Sequence, residues 1–593
     1  METISSLISA KIRQVLGDAS VPIHVAPTGD SRFGDYQTTV AMQVAKQRRA
    51  NPRTLAQEIA SRIDMVPMGP PPEIAGAGFI NFRLDAGWLA KRTALLVADE
   101  RLGCPPVSRR TLVVDFSSPN VAKAMHVGHI RSTILGDCIC RIGRFLGHRV
   151  IADNHIGDWG TQFGILLVGW NTLLNRDALA KEPIAELERL YKTVSAQCDP
   201  DKPGYDPALR AQAKQELVKL QAGDSKNLAS WREMIRLSQI QFDELYARLG
   251  VRFDHTYGES FYNPALKGVV EDLLQKGVAR ESDGAVCVFS DHTVPEKDDP
   301  FLIQRDGRWA DVPAIVQKAD GAANYMTTDL ATLDYRLREF APDDIVYVTD
   351  GRQQQHFRQL FAVFRRWRPD AVRRVTLSHV WFGSILGEDN KPFKTRSGET
   401  VKLADLLDEA VERADRLIAE RNPELDSAER AAAARIIGLG AVKYADLSPN
   451  RQGDYVFSWD KMLSFQGNTA PYLQYSYVRI QSIFRKSAES GRPVETPSVD
   501  LLLTLTEEAE ILLAKRLNQF GEILPQAIGD YKPNILATYL FDLAGCFHNF
   551  FESCPVLKSD EPIRSSRLAL CHVTGRLLRE GLAMLGIEVP ERM

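Results

Sequence analysis

Within Ser117–Asp137, S-S-P-N-V-A-K-A-M-H-V-G-H-I-R-S-T-I-L-G-D, the imidazoles of His126 and His129 stand three residues apart around Val127 and Gly128. The amine of Lys123 precedes His126 by three. Three chemistries are open to such a set. A metal pair wants a third ligand and the i, i+4 spacing of one helix face, and a glycine between the ligands serves no metal. Asp115 and Asp137 are the nearest carboxylates that could complete one. The plain structural alternative is two polar residues capping a helix. A phosphate-binding reading uses every part: imidazole donors and a lysine at a helix N-terminus, whose free N–H groups and dipole favour an anion. Gly128 then lets a flat group such as a nucleobase approach the backbone closely.

The elements around the pair support that third reading. Thr111–Phe116 is a nearly continuous apolar run, which suits a strand buried on both faces. Ile130, Ile134, Cys138, Ile142 and Phe145 recur at helical spacing, and Gly147 supplies a stop. Arg149–Ala152 reads as the next strand. Strand, loop, helix, strand is one parallel right-handed crossover, the unit of a doubly wound nucleotide-binding sheet. The histidines therefore fall at a strand's carboxyl edge, in the first turn of its helix.

At 593 residues the chain is too long for one core. Residues 1–105 predict an α+β domain, with helical periodicity giving way to a strand in Ala75–Leu84 after a Gly-rich turn. Residues 106–404 predict an α/β Rossmann-type domain, interrupted by a polar, mainly helical insertion at about 165–300. Its strand signals return in Asp344–Thr349 and Arg374–Ser378. From 405 to 593 nearly everything has helical period, as in an all-α domain.

Hydrophobic content of 44% and charged content of 25% are those of an ordinary globular protein. There is no run of 18 apolar residues, so no membrane span is expected, and Met1–Lys11 opens an amphipathic helix rather than a secretion signal. Eight scattered cysteines without a C-x-x-C predict reduced, buried thiols in a cytoplasmic protein, not a disulfide or zinc framework. Net charge, 73 − 76 = −3, says little about nucleic acid, because a local basic face suffices to bind phosphates. One stretch is locally basic: Lys443–Arg492 holds seven Lys/Arg against four Asp/Glu, interleaved with aromatic residues, most of them expected in a helix-bundle core and two or three on RNA. That pattern suits single-stranded RNA, whose splayed bases stack on rings.

The stretch S-S-P-N-V-A-K-A-M-H-V-G-H resembles the "HIGH" signature of class I aminoacyl-tRNA synthetases, in the form carried by the arginyl-tRNA synthetase family. The resemblance continues through Gly157–Gly164, Val316–Gly321, Tyr325–Leu330, His379–Gly383, Gly467–Arg479 and the ending Leu585–Met593, and so covers the chain end to end. It implies an arginine–tRNA ligase. Arginine's carboxylate attacks the ATP α-phosphate, and the arginyl group then passes to the tRNA 3′ end. By resemblance, His126, His129 and Gly128 serve ATP, with His379, Phe382 and Lys394 beside them. Lys391–Gly398 corresponds to the family's phosphate-clamping "KMSKS" loop, but Thr395 stands where the second lysine belongs. Lys394, Arg396 or the upstream Lys123 would supply the missing charge, and Lys123 is the favoured residue. Asp115, Tyr325 and Asp329 are implied to grip the guanidinium, and Asn120 and Gln353 the α-amino end, with Ser117 and His129 also lining the arginine site. For tRNA the resemblance implies Phe79 and Asn81 at the D-loop, and Tyr472, Gln474, Tyr475 and Arg479 in the anticodon-binding domain. Mg2+ would travel with ATP, with no protein-bound metal. The expected partners are tRNA(Arg), L-arginine and ATP, with neither DNA nor membrane, and the expected state is a monomer.

Overall fold

A computed structural model of the chain describes residues 1–391, 393, 401–492 and 502–593. It resolves into two compact units, one of residues 108–412 and 449–459, the other of 1–107, 413–448 and 460–593.

The first unit is built on four parallel strands. In chain order its labelled elements are β1 (Thr111–Asp115), α1 (Val127–Leu146), β2 (Arg149–Asp153), α2 (Tyr325–Phe340), β3 (Asp344–Tyr347), α3 (Gln354–Trp367) and β4 (Thr376–His379). The strands lie in the order β4-β3-β1-β2 and every pairing is parallel. Short β-branched runs buried on both faces form such strands because helices cover each side of the sheet. Chain order reverses between β1 and β3, which creates a crevice at their carboxyl ends. The register draws one row along that edge: His379, Tyr347, Asp115 and Asp153 are lateral neighbours on successive strands. Beneath the row lies a core that includes Val113, Ile151, Leu330, Ile345, Leu360 and Trp367. Each such side chain contributes on the order of 1.5–3 kcal/mol by leaving water. α1 packs tightly on the end of β1 because residue 136 is glycine: a Cβ there would lie 2.1 Å from the Phe116 ring.

The insertion between β2 and α2 is helical only as far as Gln275. Beyond it come a three-stranded sheet (Arg280–Ser282, Ala285–Val288, Ala314–Gln317) and a hairpin (Leu302–Arg305, Arg308–Asp311). The insertion is thus mainly helical to residue 300, as expected, with most of its strand residues lying beyond that point. Both hairpins turn on Asp-Gly pairs with positive φ, Asp283-Gly284 and Asp306-Gly307, the strongest short-range hairpin signal a sequence carries.

In the second unit, residues 1–107 carry a four-stranded antiparallel sheet in the order Val25–Pro27, Tyr36–Thr38, Phe79–Phe82, Glu73–Ala75. The remainder is helical, including Ala470–Glu489, Pro533–Ser553 and Ile563–Met584. The two ends of the chain, read above as separate domains, pack together: Glu522 accepts from Ser5 N–H and Tyr36 O–H, and Arg576 donates to the carbonyls of Leu96 and Val97. Among the described residues no helix is long and apolar enough to cross a membrane, and all eight cysteines are free.

Candidate active site

The β1–α1 loop is strained and heavily braced. Ser117, Ser118 and Ala122 hold φ of 73°, 48° and 61°, a left-handed conformation that costs non-glycine residues on the order of 1–3 kcal/mol each. Side chains from other elements catch the loop's backbone N–H groups. Ser132 Oγ holds that of Ser117, Asn154 that of Ser118, Ser238 that of Ala122 and Glu188 that of Ala124.

At the loop's end the two histidines cap α1. His126 Nδ1 accepts from Gly128 N–H at 3.1 Å, and His129 Nδ1 accepts from His126 N–H at 3.1 Å. The rings lie 4.0 Å apart. Burial pulls both below the usual imidazole range, His129 to about 3 with His126's charge adding to the effect. A neutral imidazole has one donor and one acceptor nitrogen. With Nδ1 accepting, each ring carries its proton on Nε2 and can donate outward. Capping uses only the Nδ1 atoms, so it leaves Nε2 available and does not compete with the phosphate-binding reading. Gly128 serves this packing as well, because a Cβ there would come within 2.8 Å of the His126 ring.

Residues 401–403 are stitched to this loop: Val127 N–H donates to Val401 C=O at 3.0 Å and Leu403 N–H to Met125 C=O at 2.9 Å. Lys394, Thr395 and Arg396 lie outside the described residues. The Lys123 ammonium rests 4.8 Å from the centre of the Tyr191 ring, on an inserted helix. His379 ends β4, pairs with Thr349 at 2.8 Å and stacks on Phe357, and burial pushes it down to about 4. The Phe382 ring is 3% exposed, with the Arg131 guanidinium 5.5 Å from its centre.

The other side of the crevice is acidic. α2 begins at Asn324, whose side chain caps Met326 N–H, and carries Tyr325, 64% exposed. One turn on, Asp329 meets His356 Nε2 at 2.5 Å, and the same ring lies edge-on to Tyr325 at 4.8 Å. Asp115 is buried and both its oxygens hold internal donors, Ser118 O–H at 3.0 Å and Arg336 at 2.6 Å. Asn120 is exposed opposite Gly157, where a Cβ would sit 2.2 Å from the amide oxygen. Gln353 is exposed in the turn before α3. Ser117, expected to line the arginine site, is buried, its hydroxyl paired with Tyr246 and Thr133.

Three residues escaped the sequence reading. His356 contacts both Tyr325 and Asp329. Arg336 binds Asp115. Glu259, on a short helix of the insertion, is pushed up to about 7 by burial and then by Asp158 and Asp329. Only His356 left a signal, three residues beyond Gln353. Among the described residues no group of three or more His, Cys, Asp or Glu could hold a metal ion.

The second unit has a pocket of about 790 Å3 lined by residues that include Arg421, Phe465, Tyr472, Tyr475 and Arg479. Arg479 lies 5.0 Å from the Tyr475 ring and 4.8 Å from that of Phe551, and Arg421 lies 4.2 Å from Phe465. Gln474, by contrast, is 0% exposed, on the opposite face of the helix, and donates to the carbonyls of Ile436 and Glu588. Asn81 is likewise inward, 4% exposed, whereas Phe79 is half-buried.

Comparison with known proteins accords with this geometry. The family model for the catalytic domain of class I (R) tRNA synthetases matches residues 91–459. Those for the arginyl-tRNA synthetase N-terminal domain and the DALR anticodon-binding domain match 2–84 and 473–593. An arginine--tRNA ligase of Klebsiella pneumoniae subsp. pneumoniae is 44% identical over 599 residues, with 100% of both chains covered. The crystal structure of arginyl-tRNA synthetase from Plasmodium falciparum superposes with a TM-score of 0.82 at 29% identity, covering 100% of both chains. That from Thermus thermophilus gives the same score and coverage at 24% identity, a likeness of fold.

Proposed function

The chain belongs to the arginyl-tRNA synthetases, and on that premise we propose how its residues divide the reaction. It is an arginine–tRNA ligase of class I: L-arginine is activated with ATP, pyrophosphate leaves, and the arginyl group passes to the tRNA 3′ end. The observation that carries our assignment is the pair of Nδ1-capped histidines, whose Nε2–H groups are free to donate. His126 and His129 stabilise charge developing on the α-phosphate. Losing one such prepositioned donor costs on the order of 2.7–4 kcal/mol. Gly128 and His379 border the adenine. ATP arrives as its Mg2+ complex, with the ion held mainly by phosphates. Lys123, Lys394 and Arg396 supply the clamp's positive charge.

Asp329 and Tyr325 receive the guanidinium, joined by Glu259 as a further carboxylate. Asp115 contributes its charge at longer range, since both its oxygens already hold donors. Asn120 and Gln353, both exposed at the crevice, take the α-amino end. A planar fork of donors is matched by carboxylates placed for paired bonds.

For tRNA(Arg) we assign residues 1–105 to the elbow through Phe79, residues 106–404 to catalysis, and residues 405–593 to the anticodon. The cation–aromatic pocket of Tyr472, Tyr475 and Arg479 supports that last role, since stacked bases suit rings beside guanidinium groups. Free, mostly buried thiols support work in the cytoplasm, and we take the enzyme to act as a monomer. The test is ATP–pyrophosphate exchange with each amino acid, with and without tRNA(Arg). Exchange driven by arginine alone is expected; exchange driven by another amino acid, or by none, overturns the reading.

A further inference from the structure

Arg336 is the substrate's own functional group built into the protein. It is 0% exposed and sits at the crevice, under the strand-end row. Its Nη2 donates to Asp115 Oδ2 at 2.6 Å and to Asp153 Oδ2 at 2.8 Å, and its Nε donates to Asp153 Oδ2 at 3.0 Å. The guanidinium centre lies 5.3 Å from the Tyr347 ring. Since Asp153, Asp115 and Tyr347 occupy one row of the sheet, a single side chain grips three adjacent strand ends.

Placement on α2 gives this grip its meaning. Tyr325, Asp329 and Arg336 fall within roughly 40° of one another around the helix at about 100° per residue. Arg336 is two turns beyond Asp329, roughly 10 Å along the axis. The helix is thus pinned at one end to the sheet and presents its recognition groups from the other. Stability alone does not call for such a device. Buried ion triads are often replaced by apolar residues without loss, and the surrounding core of Leu330, Leu333 and Phe340 already holds α2. What an apolar contact lacks is direction. A guanidinium bonded to two carboxylates at fixed register permits neither rotation nor sliding of the helix. A tilt of about 5° over that lever would displace Asp329 by about 1 Å, an error on the scale that costs around 10²-fold in rate.

We propose that Arg336 is a positioning residue for arginine recognition: by locking α2 to Asp115 and Asp153, it sets where Asp329 meets the substrate guanidinium. This rests on the reading of Asp329 as an arginine acceptor. It also explains why Asp115, an acid in the pocket, is unavailable for a full pair with substrate.

The test is ATP–pyrophosphate exchange by the full-length enzyme carrying Arg336→Lys or Arg336→Ala. Lysine keeps the positive charge the two carboxylates need but loses the fork. Arg336→Lys should raise the arginine KM about tenfold or more while the ATP KM stays within about twofold. Added guanidinium ion, but not methylammonium, should restore arginine-dependent exchange to Arg336→Ala by refilling the vacated fork. If Arg336→Ala does not fold, as judged by loss of a cooperative melt, Arg336→Lys alone decides. Equal changes in both KM values, or none in either, overturn the proposal. Failure of the functional reading is separately visible, because the unaltered enzyme would then show no arginine-specific exchange.

Discussion

The two sides of the crevice use opposite means. On the nucleotide side as we assign it, an anion is met first by fixed dipoles, two imidazoles with lowered pKa values, a helix N-terminus and a braced backbone, to which Lys123, Lys394 and Arg396 add charge. On the amino-acid side, by the same assignment, a cation is met by carboxylates, Asp329, Glu259 and Asp115, and Arg336 offsets part of their charge. The contrast follows from what each side must do. Charge that grows during reaction is best stabilised by fixed dipoles that need no reorganisation. A charge that identifies the substrate is best read by full opposite charges, which reject a neutral isostere.

Variants should separate the two sides. The largest effect is expected from His126→Ala, a fall of about 10²–10³ in the rate of adenylate formation with little change in arginine KM. Rapid-quench measurement of arginyl-adenylate checks it, and a comparable rise in arginine KM would erase the distinction. Asp329→Asn should raise arginine KM by about 10–10² while ATP KM holds, from loss of a charged hydrogen bond. Steady-state exchange kinetics in both substrates decide this one.

A pH series sharpens the contrast further. Glu259 is raised to about 7 by burial and by its acidic neighbours, and a bound cation favours its ionised form. Arginine binding should therefore release protons, and arginine KM should fall, by at most about tenfold, as pH rises from 6 to 8. Burial holds both histidines below the usual imidazole range, His129 at about 3, so ATP KM should change much less than arginine KM over that window. Glu259→Gln should abolish the trend, and persistence of the slope would assign it elsewhere. The smallest effect tests the second unit: Arg479→Ala should weaken tRNA(Arg) binding severalfold, by about 1 kcal/mol. The inward Gln474→Ala should leave the RNA-facing surface unchanged, as filter binding can measure.

The same contrast governs what could be read from the chain. The histidine part of the nucleotide side, with Lys123 and Gly128, is one contiguous stretch that spacing and composition single out, and the parallel sheet follows from apolar runs set between helical periods. The amino-acid side is assembled from Asp115, Glu259, Asp329, Arg336 and His356, scattered over more than two hundred residues. No local pattern marks Glu259 or Arg336; each is an ordinary charged residue until the sheet register brings it to the edge. Helical period does place Gln474 away from the face shared by Tyr472, Tyr475 and Arg479, a distinction that a motif carried over as a block obscures. The Asp-Gly turns of the insertion were equally legible, but their strands of three or four residues are too short to show alternation.

The stitch between Met125–Val127 and Val401–Leu403 also has a consequence in time. A chain made from its N-terminus at about 5–20 residues per second reaches Leu403 roughly a quarter of a minute to a minute after His126 has been added. Throughout that interval the histidine loop lacks the backbone partner that holds its final turn, and Asp115 waits nearly as long for Arg336. The nascent chain therefore carries its most recognisable motif unfinished until about two thirds of its length has been made.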